Sequence, residues 1–157
     1  MRKSRATPGH GCRPGNVLIL FAILLTSLIG MVAFAIDTGY IALYKTRMQR
    51  AADAAALAGA MKALVPPGEP QDAAAVRAEV RKYIDLNMPG LTVRDEDIKL
   101  ARYTPYYEPA NRLSYSYSTA QPANAVQVTL RRDSVQNNPL KLFFAPVIGS
   151  KSASVGP

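Results

Sequence analysis

The side chains most able to do chemistry are few in this sequence and poorly spaced for it. The single histidine, His10, and the single cysteine, Cys12, lie in a basic leader rich in glycine and proline. They cannot assemble a Cys/His zinc cage, and His10 lacks a structured partner that would make it a general base. Asp95, Glu96 and Asp97 are consecutive, so their side chains do not converge in a strand or a helix. We therefore expect these three acids in a solvated turn, with no metal site.

The sequence also lacks the linear motifs of common catalytic sites. It contains no G-x-S-x-G, H-E-x-x-H, Walker or Rossmann pattern. We predict a protein that is not an enzyme, with no catalytic residue, no cofactor and no small-molecule substrate. The formal net charge is +8, but half of it lies in residues 1–16, and the remainder of the chain is nearly balanced. This distribution does not resemble a nucleic-acid groove, so no nucleic-acid partner is expected.

The longest structural element indicated by the sequence begins with an uncharged apolar run. This run covers residues 17–36, and a helix of that length would span about 30 Å, the thickness of a bilayer's hydrocarbon core. Basic residues precede the run and Asp37 follows it directly, which favours a cytoplasmic N-terminus. We predict a single-pass protein of a bacterial inner (cell) membrane, with its C-terminal body in the periplasm or outside the cell.

A cleaved secretory signal is the alternative interpretation of the same run. Ala33-Phe34-Ala35 has the small-x-small pattern of a cleavage site, so processing after Ala35 would leave Ile36 as the first residue. The product would be a secreted binding or structural domain. The apolar stretch is longer than the usual signal core of roughly 7–15 residues, and helical patterning continues beyond Asp37, so we favour a retained helix.

Residues 37–64 extend the apolar run as an alanine-rich segment without proline. Alanine is the best helix former, so the segment predicts one long rod, with a break possible near Gly39. Gln49 and Asp53 lie one turn apart and could form a hydrogen bond. Small residues recur at i and i+4, as in Ala52 and Ala56, which lets another backbone approach closely. The rod would pack either on its own domain or on helices of other chains.

The same stretch carries a resemblance to a known family. The strings G-N-V at 15–17, A-I-D-T-G at 35–39 and Q-R-A-A-D-A-A-A-L-A-G-A at 49–60 resemble the N-terminal module of TadE/TadG-like proteins over residues 15–62. Segments 125–130 and 139–149 resemble the C-terminal part of TadG-like proteins more loosely. The positions to which we assign the family motif and helix packing are Asp37, Gly39, Gln49, Ala52, Asp53, Ala55, Ala56, Leu57 and Gly59.

The resemblance implies a pilin-like or TadG-like component of the Tad (tight adherence) Flp pilus-assembly machinery, which serves bacterial adhesion. Its implied partners are other pilus-assembly or pilin-like membrane proteins, or copies of itself. Pilin-like precursors are cut after a glycine, which would place processing between Gly15 and Asn16. Leu20 stands where such precursors carry a glutamate, and the metal motif of longer TadG-like proteins is missing, so no metal site is implied.

The body beyond the rod alternates between helical and strand patterns. Residues 71–86 predict an amphipathic helix with Asp72 as its N-cap. Strands are predicted over 98–103, 112–118 and 126–131, with a possible fourth over 152–155. The fold class is therefore α+β: a long transmembrane or pilin-like helix, then a small antiparallel-sheet domain with one or two helices. The predicted units are a leader over 1–16, a transmembrane helix over 17–36, a helical extension over 37–64, a linker over 65–70 and an exported domain over 71–157.

Overall fold

The computed structural model describes residues 15–66, 68–105, 112–149 and 152–156. His10, Cys12 and the other residues before Gly15 in the basic leader lie outside the described residues. The first described element is helix α1, Gly15–Ala63, which contains 49 residues and is about 74 Å long. It continues through Gly39 without a break, because no proline interrupts it and the alanine-rich sequence that follows favours helix.

The two halves of α1 have opposite environments. Side chains over residues 17–36 are exposed apart from that of Ala33, which is half-buried. From Asp37 onward one side of the helix is buried, with Met48, Ala51 and Ala55 all below 5% exposed. Among the described residues, the N-terminal half is therefore largely uncovered, with only Ala33 half-buried. The C-terminal half is a core element of the head, which we define as residues 37–156.

Helix α2, Ala73–Asn87, packs against the C-terminal half of α1. The side chain of Asp72 caps it, accepting hydrogen bonds from the N–H groups of Ala74 at 2.9 Å and Ala75 at 3.0 Å. Its buried face is formed by residues at helical spacing: Val76, Val80 and Ile84. The predicted amphipathic helix and its cap are both confirmed.

A three-stranded antiparallel sheet covers the other side of the core. Its order is β2-β1-β3, with β1 at Ile98–Tyr103, β2 at Leu113–Ser114 and β3 at Ala125–Val128. Strand β1 has the predicted bounds, whereas β2 and β3 are shorter than predicted. The N–H of Thr129, directly after β3, donates to the carbonyl of Asp97, directly before β1, so the antiparallel pairing of the two strands extends one residue pair beyond Val128.

A second, two-stranded ribbon closes the described chain. It pairs β4, Leu140–Lys141, with β5, Ser152–Ala153, and a short 3-10 helix, Ala145–Ile148, lies between them. Arg132 and Val155 add an antiparallel bridge beside this ribbon. The architecture is α+β as predicted, with a long apolar N-terminal helix, a short second helix and small antiparallel sheets.

The acidic triplet before β1 differs from its prediction. Asp95 and Glu96 are exposed, as a solvated turn requires, but Asp97 is only 4% exposed. The guanidinium of Arg131 donates to Asp97 Oδ1, so the charge of Asp97 has a partner. The expectation was wrong for Asp97 because only the fold brings Arg131, distant in sequence, to this turn.

Candidate functional site

The point where α1 leaves its apolar run holds a buried carboxylate. Asp37 is 6% exposed, and backbone N–H groups of the distant C-terminal segment surround it. Its Oδ1 accepts from Phe143 at 2.9 Å and from Phe144 at 3.3 Å. Its Oδ2 accepts from Phe144 at 3.1 Å and from Ala145 at 2.6 Å. We call this set of contacts the Asp37 latch.

Local geometry explains why three consecutive N–H groups converge on one carboxylate. Phe144 has helical dihedral angles and precedes the 3-10 helix Ala145–Ile148, so the N–H groups at this helix start have no carbonyl partner within the turn. A carboxylate at such an end is stabilised by charge-assisted hydrogen bonds. Asp37 therefore acts as an N-terminal cap supplied by a residue about one hundred positions earlier in the chain.

The latch holds Asp37 in its ionised form. Burial raises the pKa of Asp37, but the hydrogen bonds from the N–H groups of Phe143, Ala145 and Phe144 together outweigh that effect. The pKa of this carboxyl consequently lies below its ordinary value of 3.8. At neutral pH the latch is a carboxylate with every bond donated to it by backbone.

Aromatic side chains continue the contact one turn further along α1. The ring of Tyr40 meets that of Phe143 edge-on, with centroids 5.2 Å apart. The guanidinium of Arg132 lies 5.0 Å above the ring of Tyr44 and donates to its hydroxyl group. Arg132 Nε also donates to the carbonyl of Asn138 at 2.9 Å, which fixes the guanidinium over the ring. The C-terminal segment is thus attached to α1 at two successive levels.

The small residues predicted for helix packing face the chain's own head. Ala52 is 8% exposed and Ala55 is fully buried within the core that α2 completes. A Cβ atom at Gly59 would lie 2.5 Å from Cγ2 of Val80, so only glycine permits the observed approach of α2 to α1. The sequence left open whether these residues pack on the chain's own domain or on helices of other chains. In the structure they pack on the chain's own domain.

Other residues of the predicted motif lie on the opposite side of α1. Gln49 Nε2 donates to Asp53 Oδ1 at 2.8 Å, and both side chains are exposed. Leu57 is 65% exposed although it lies in the middle of the alanine string. It belongs to an exposed row at helical spacing, which we call the outer face: Leu43, Arg50, Leu57 and Met61.

The remaining predicted site residues lie along α1 on either side of the latch. Gly15 and Asn16, one candidate processing point, are the first residues of the helix. Ala35 and Ile36, the other candidate, are exposed within the helix directly before Asp37. Gly39 is exposed, with open space where a side chain would be, and Ala56 is half-buried.

Sequence reasoning missed the residues that complete the latch. Phe143, Phe144 and Ala145 belong to an apolar stretch that predicts only a short helix or an irregular core segment, and Arg132 carries no motif. A usable signal existed in the lone acid that ends the apolar run, because a buried carboxylate requires donors. In the described ranges, 15–66, 68–105, 112–149 and 152–156, no group of three or more His, Cys, Asp and Glu residues could hold a metal ion.

The fold defines a class of protein with one long helix and a small α+β head. The first half of the helix is apolar and exposed, and the second half is part of the core of the head. Two family descriptions match this chain. Flp pilus-assembly TadE/G-like matches residues 15–62, and Tad-like Flp pilus-assembly matches residues 42–156. The chain belongs to the Tad-like Flp pilus-assembly family. Comparison with curated proteins gives no match, and neither does comparison with solved structures.

Proposed function

We propose that this protein is a membrane-anchored, non-enzymatic component of Tad/Flp-type pilus assembly. Its family membership supports a pilus-assembly role. The observation that carries the finer proposal is the contrast within α1. The half before Asp37 exposes an uninterrupted apolar surface, and the half after Asp37 is built into the head. A water-soluble rod would not leave so much apolar surface uncovered.

The anchor in this proposal is the segment 17–36. Its length and composition meet the requirements of a membrane-spanning helix. The hydroxyl of Thr26 donates to the carbonyl of Ala22 at 2.8 Å, so its polar group already has a partner inside the helix. The basic residues before the segment support a cytoplasmic N-terminus in the inner membrane, which directs the head to the periplasm.

The latch gives this anchor a mechanical role. Asp37 joins the head to the helix at the first residue beyond the apolar segment, and the Tyr40 and Tyr44 contacts continue that attachment. A head attached only through a flexible linker would tilt freely at the membrane surface. The observed contacts support a head held at one orientation, which a component that must align with neighbours in an assembly requires.

Partner helices of the pilus machinery, or copies of this chain, would contact the outer face. Ala52, Ala55 and Gly59 are enclosed by the chain's own head, so the partner contact we infer uses the exposed Leu57 and its row instead. Two exposed apolar side chains, Leu57 and Met61, lie one turn apart there, with the Gln49–Asp53 pair beside them. Neighbouring exposed apolar side chains flanked by polar and charged groups fit a helix-to-helix contact.

Site-specific photocrosslinking in the native host tests this assignment. A photoreactive residue at Leu57 or Met61 should yield crosslinks to pilus-assembly proteins or to a second copy. The matched control is Leu86 on α2, which is 68% exposed, close to the 65% of Leu57. Crosslinks from Leu86 alone, or equal yields at all three positions, would contradict the outer face as the partner surface.

A further inference from the structure

An exposed apolar turn of the head lies beside the N-terminal half of α1. Phe143 is 65% exposed, Phe144 is 42% exposed and Val147 is 86% exposed. Phe144 shares a shallow apolar groove with four residues of the membrane-type segment: Leu28, Ile29, Val32 and Ala33. The turn that contains these side chains, residues 143–147, therefore reaches back past Asp37 along the apolar rod.

The distance it reaches is substantial on the scale of a bilayer leaflet. Val32 and Leu28 precede Asp37 by five and nine residues, which is roughly 8 and 14 Å of helix. Half of a hydrocarbon core is about 15 Å thick. If the bilayer boundary lies where the charge of Asp37 first appears, the ring of Phe144 is on the hydrocarbon side of that boundary.

The backbone N–H groups of the turn all have partners, as an environment without water requires. Non-helical backbone in lipid is tolerated only when its polar groups have partners. The N–H groups of Phe143, Phe144 and Ala145 donate to Asp37, and Pro146 has no N–H. The N–H of Val147 donates to the carbonyl of Phe144 at 3.0 Å. The four N–H groups of residues 143–147 are thus all paired.

We infer that the 143–147 turn inserts into the outer leaflet beside α1 and forms a second lipid contact of the head. This inference rests on the proposed membrane anchoring of α1. Its occupant is lipid acyl chain, because the turn is continuous with the exposed apolar surface of the helix and residues 142–149 contain no charge. The exposed Lys141 at its edge suits the headgroup region.

Tryptophan fluorescence gives a direct test because the chain contains no tryptophan. Single Val147→Trp and Phe144→Trp variants of the full chain would be reconstituted in phosphatidylcholine/phosphatidylglycerol vesicles with brominated phosphatidylcholine, which quenches tryptophan in the acyl region. Leu24→Trp reports on the anchor. Leu64→Trp reports on an exposed position about 40 Å beyond Asp37 along the helix direction.

We expect tryptophan at positions 147 and 144 to show blue-shifted emission and to be quenched about as strongly as tryptophan at position 24. Tryptophan at position 64 should not be quenched. Quenching at position 24 without quenching at positions 147 and 144 would overturn the inference and leave the anchor intact. Absence of quenching at all four positions would overturn both the insertion of the turn and the membrane anchoring of α1. Quenching at position 147 that appears only when the protein is diluted in lipid would mean that a second copy covers the turn, which also overturns the inference.

Discussion

The backbone N–H of Phe144 donates to both carboxylate oxygens of Asp37, at 3.3 and 3.1 Å, across a separation of 107 residues. The neighbouring N–H groups complete the same cap. This relationship connects the end of the apolar helix to the last part of the head. It explains why a buried acid follows an apolar run directly, since the acid is the acceptor for a turn that lies against that run.

Replacing Asp37 by Asn should loosen the turn without unfolding the head. Asn presents one acceptor oxygen and no charge, so it cannot satisfy three N–H groups as the carboxylate does. Amide hydrogen exchange over residues 142–149, followed by mass spectrometry, should become faster. Asp53→Asn is the matched control, because Asp53 is exposed and bonds to the side chain of Gln49. Equal exchange in the two variants would refute the latch.

Acid should weaken the head through the same carboxylate and through Asp133. The N–H groups of Gln136 and Val135 donate to Asp133 and hold its pKa below 3.8, as the latch does for Asp37. A carboxyl group whose pKa is lower in the folded than in the unfolded state contributes its full stabilisation at a pH above its unfolded-state pKa. This stabilisation is lost as the pH falls through the folded-state pKa. Thermal unfolding followed from neutral pH to about pH 2 should therefore show a decline that begins below about pH 4.

The Asp37→Asn variant provides the control for that acid effect. It should be less stable than the wild type at neutral pH and should lose less stability on acidification, because one of the two linked groups is absent. A variant whose acid response matches that of the wild type would show that Asp37 does not contribute to the pH dependence.

Two glycines of α1 should respond in opposite ways to alanine. Gly59→Ala places a methyl group against Val80, which is fully buried and stiff at χ1, and should lower the free energy of unfolding by about 1–3 kcal/mol. Gly39→Ala meets open space and should raise it by about 0.5–1 kcal/mol. Thermal unfolding in detergent measures both. A Gly59→Ala protein as stable as the wild type would contradict the close α1–α2 contact, whatever the effect of Gly39→Ala.

Lysine should act differently on the two sides of the alanine string. Ala55→Lys buries a charge in the core and should lower the free energy of unfolding by about 3 kcal/mol or more. Leu57→Lys leaves the head folded, because Leu57 is exposed, but should reduce crosslinking to partners. Circular dichroism measures whether the head is folded, and the crosslinking yield measures partner contact. Together the two measurements separate unfolding from loss of partners. A folded Ala55→Lys protein that loses only its partners would reverse the assignment of the two faces.

The sequence predicts the secondary-structure elements that depend on local patterns. It does not predict the contacts between segments that are distant in the chain. Helix α2 has both a capping Asp72 and apolar residues at helical spacing, so its bounds follow from local chemistry. Strand β1 alternates and is bracketed by turns, so its bounds were also predictable.

The latch and the outer face needed tertiary information. An i, i+4 row of small residues permits close approach but does not distinguish the chain's own α2 from a partner helix, and burial of Ala55 and Gly59 decided between them. No sequence pattern near Asp37 indicates that the N–H of Phe144 donates to it. The motif strings did indicate the family, because Gln, Asp, Leu and Gly at fixed offsets in an alanine run are more specific than the alanine content.

The intact mass of the protein recovered from alkaline-extracted membranes tests the central claim most directly. We expect a polypeptide that stays in the membrane fraction and retains residues 17–36, beginning at Met1 or, after pilin-type processing, at Asn16. A protein that begins at Ile36 and is recovered in the soluble fraction would instead be a secreted domain released after Ala35, and the anchored account would be wrong.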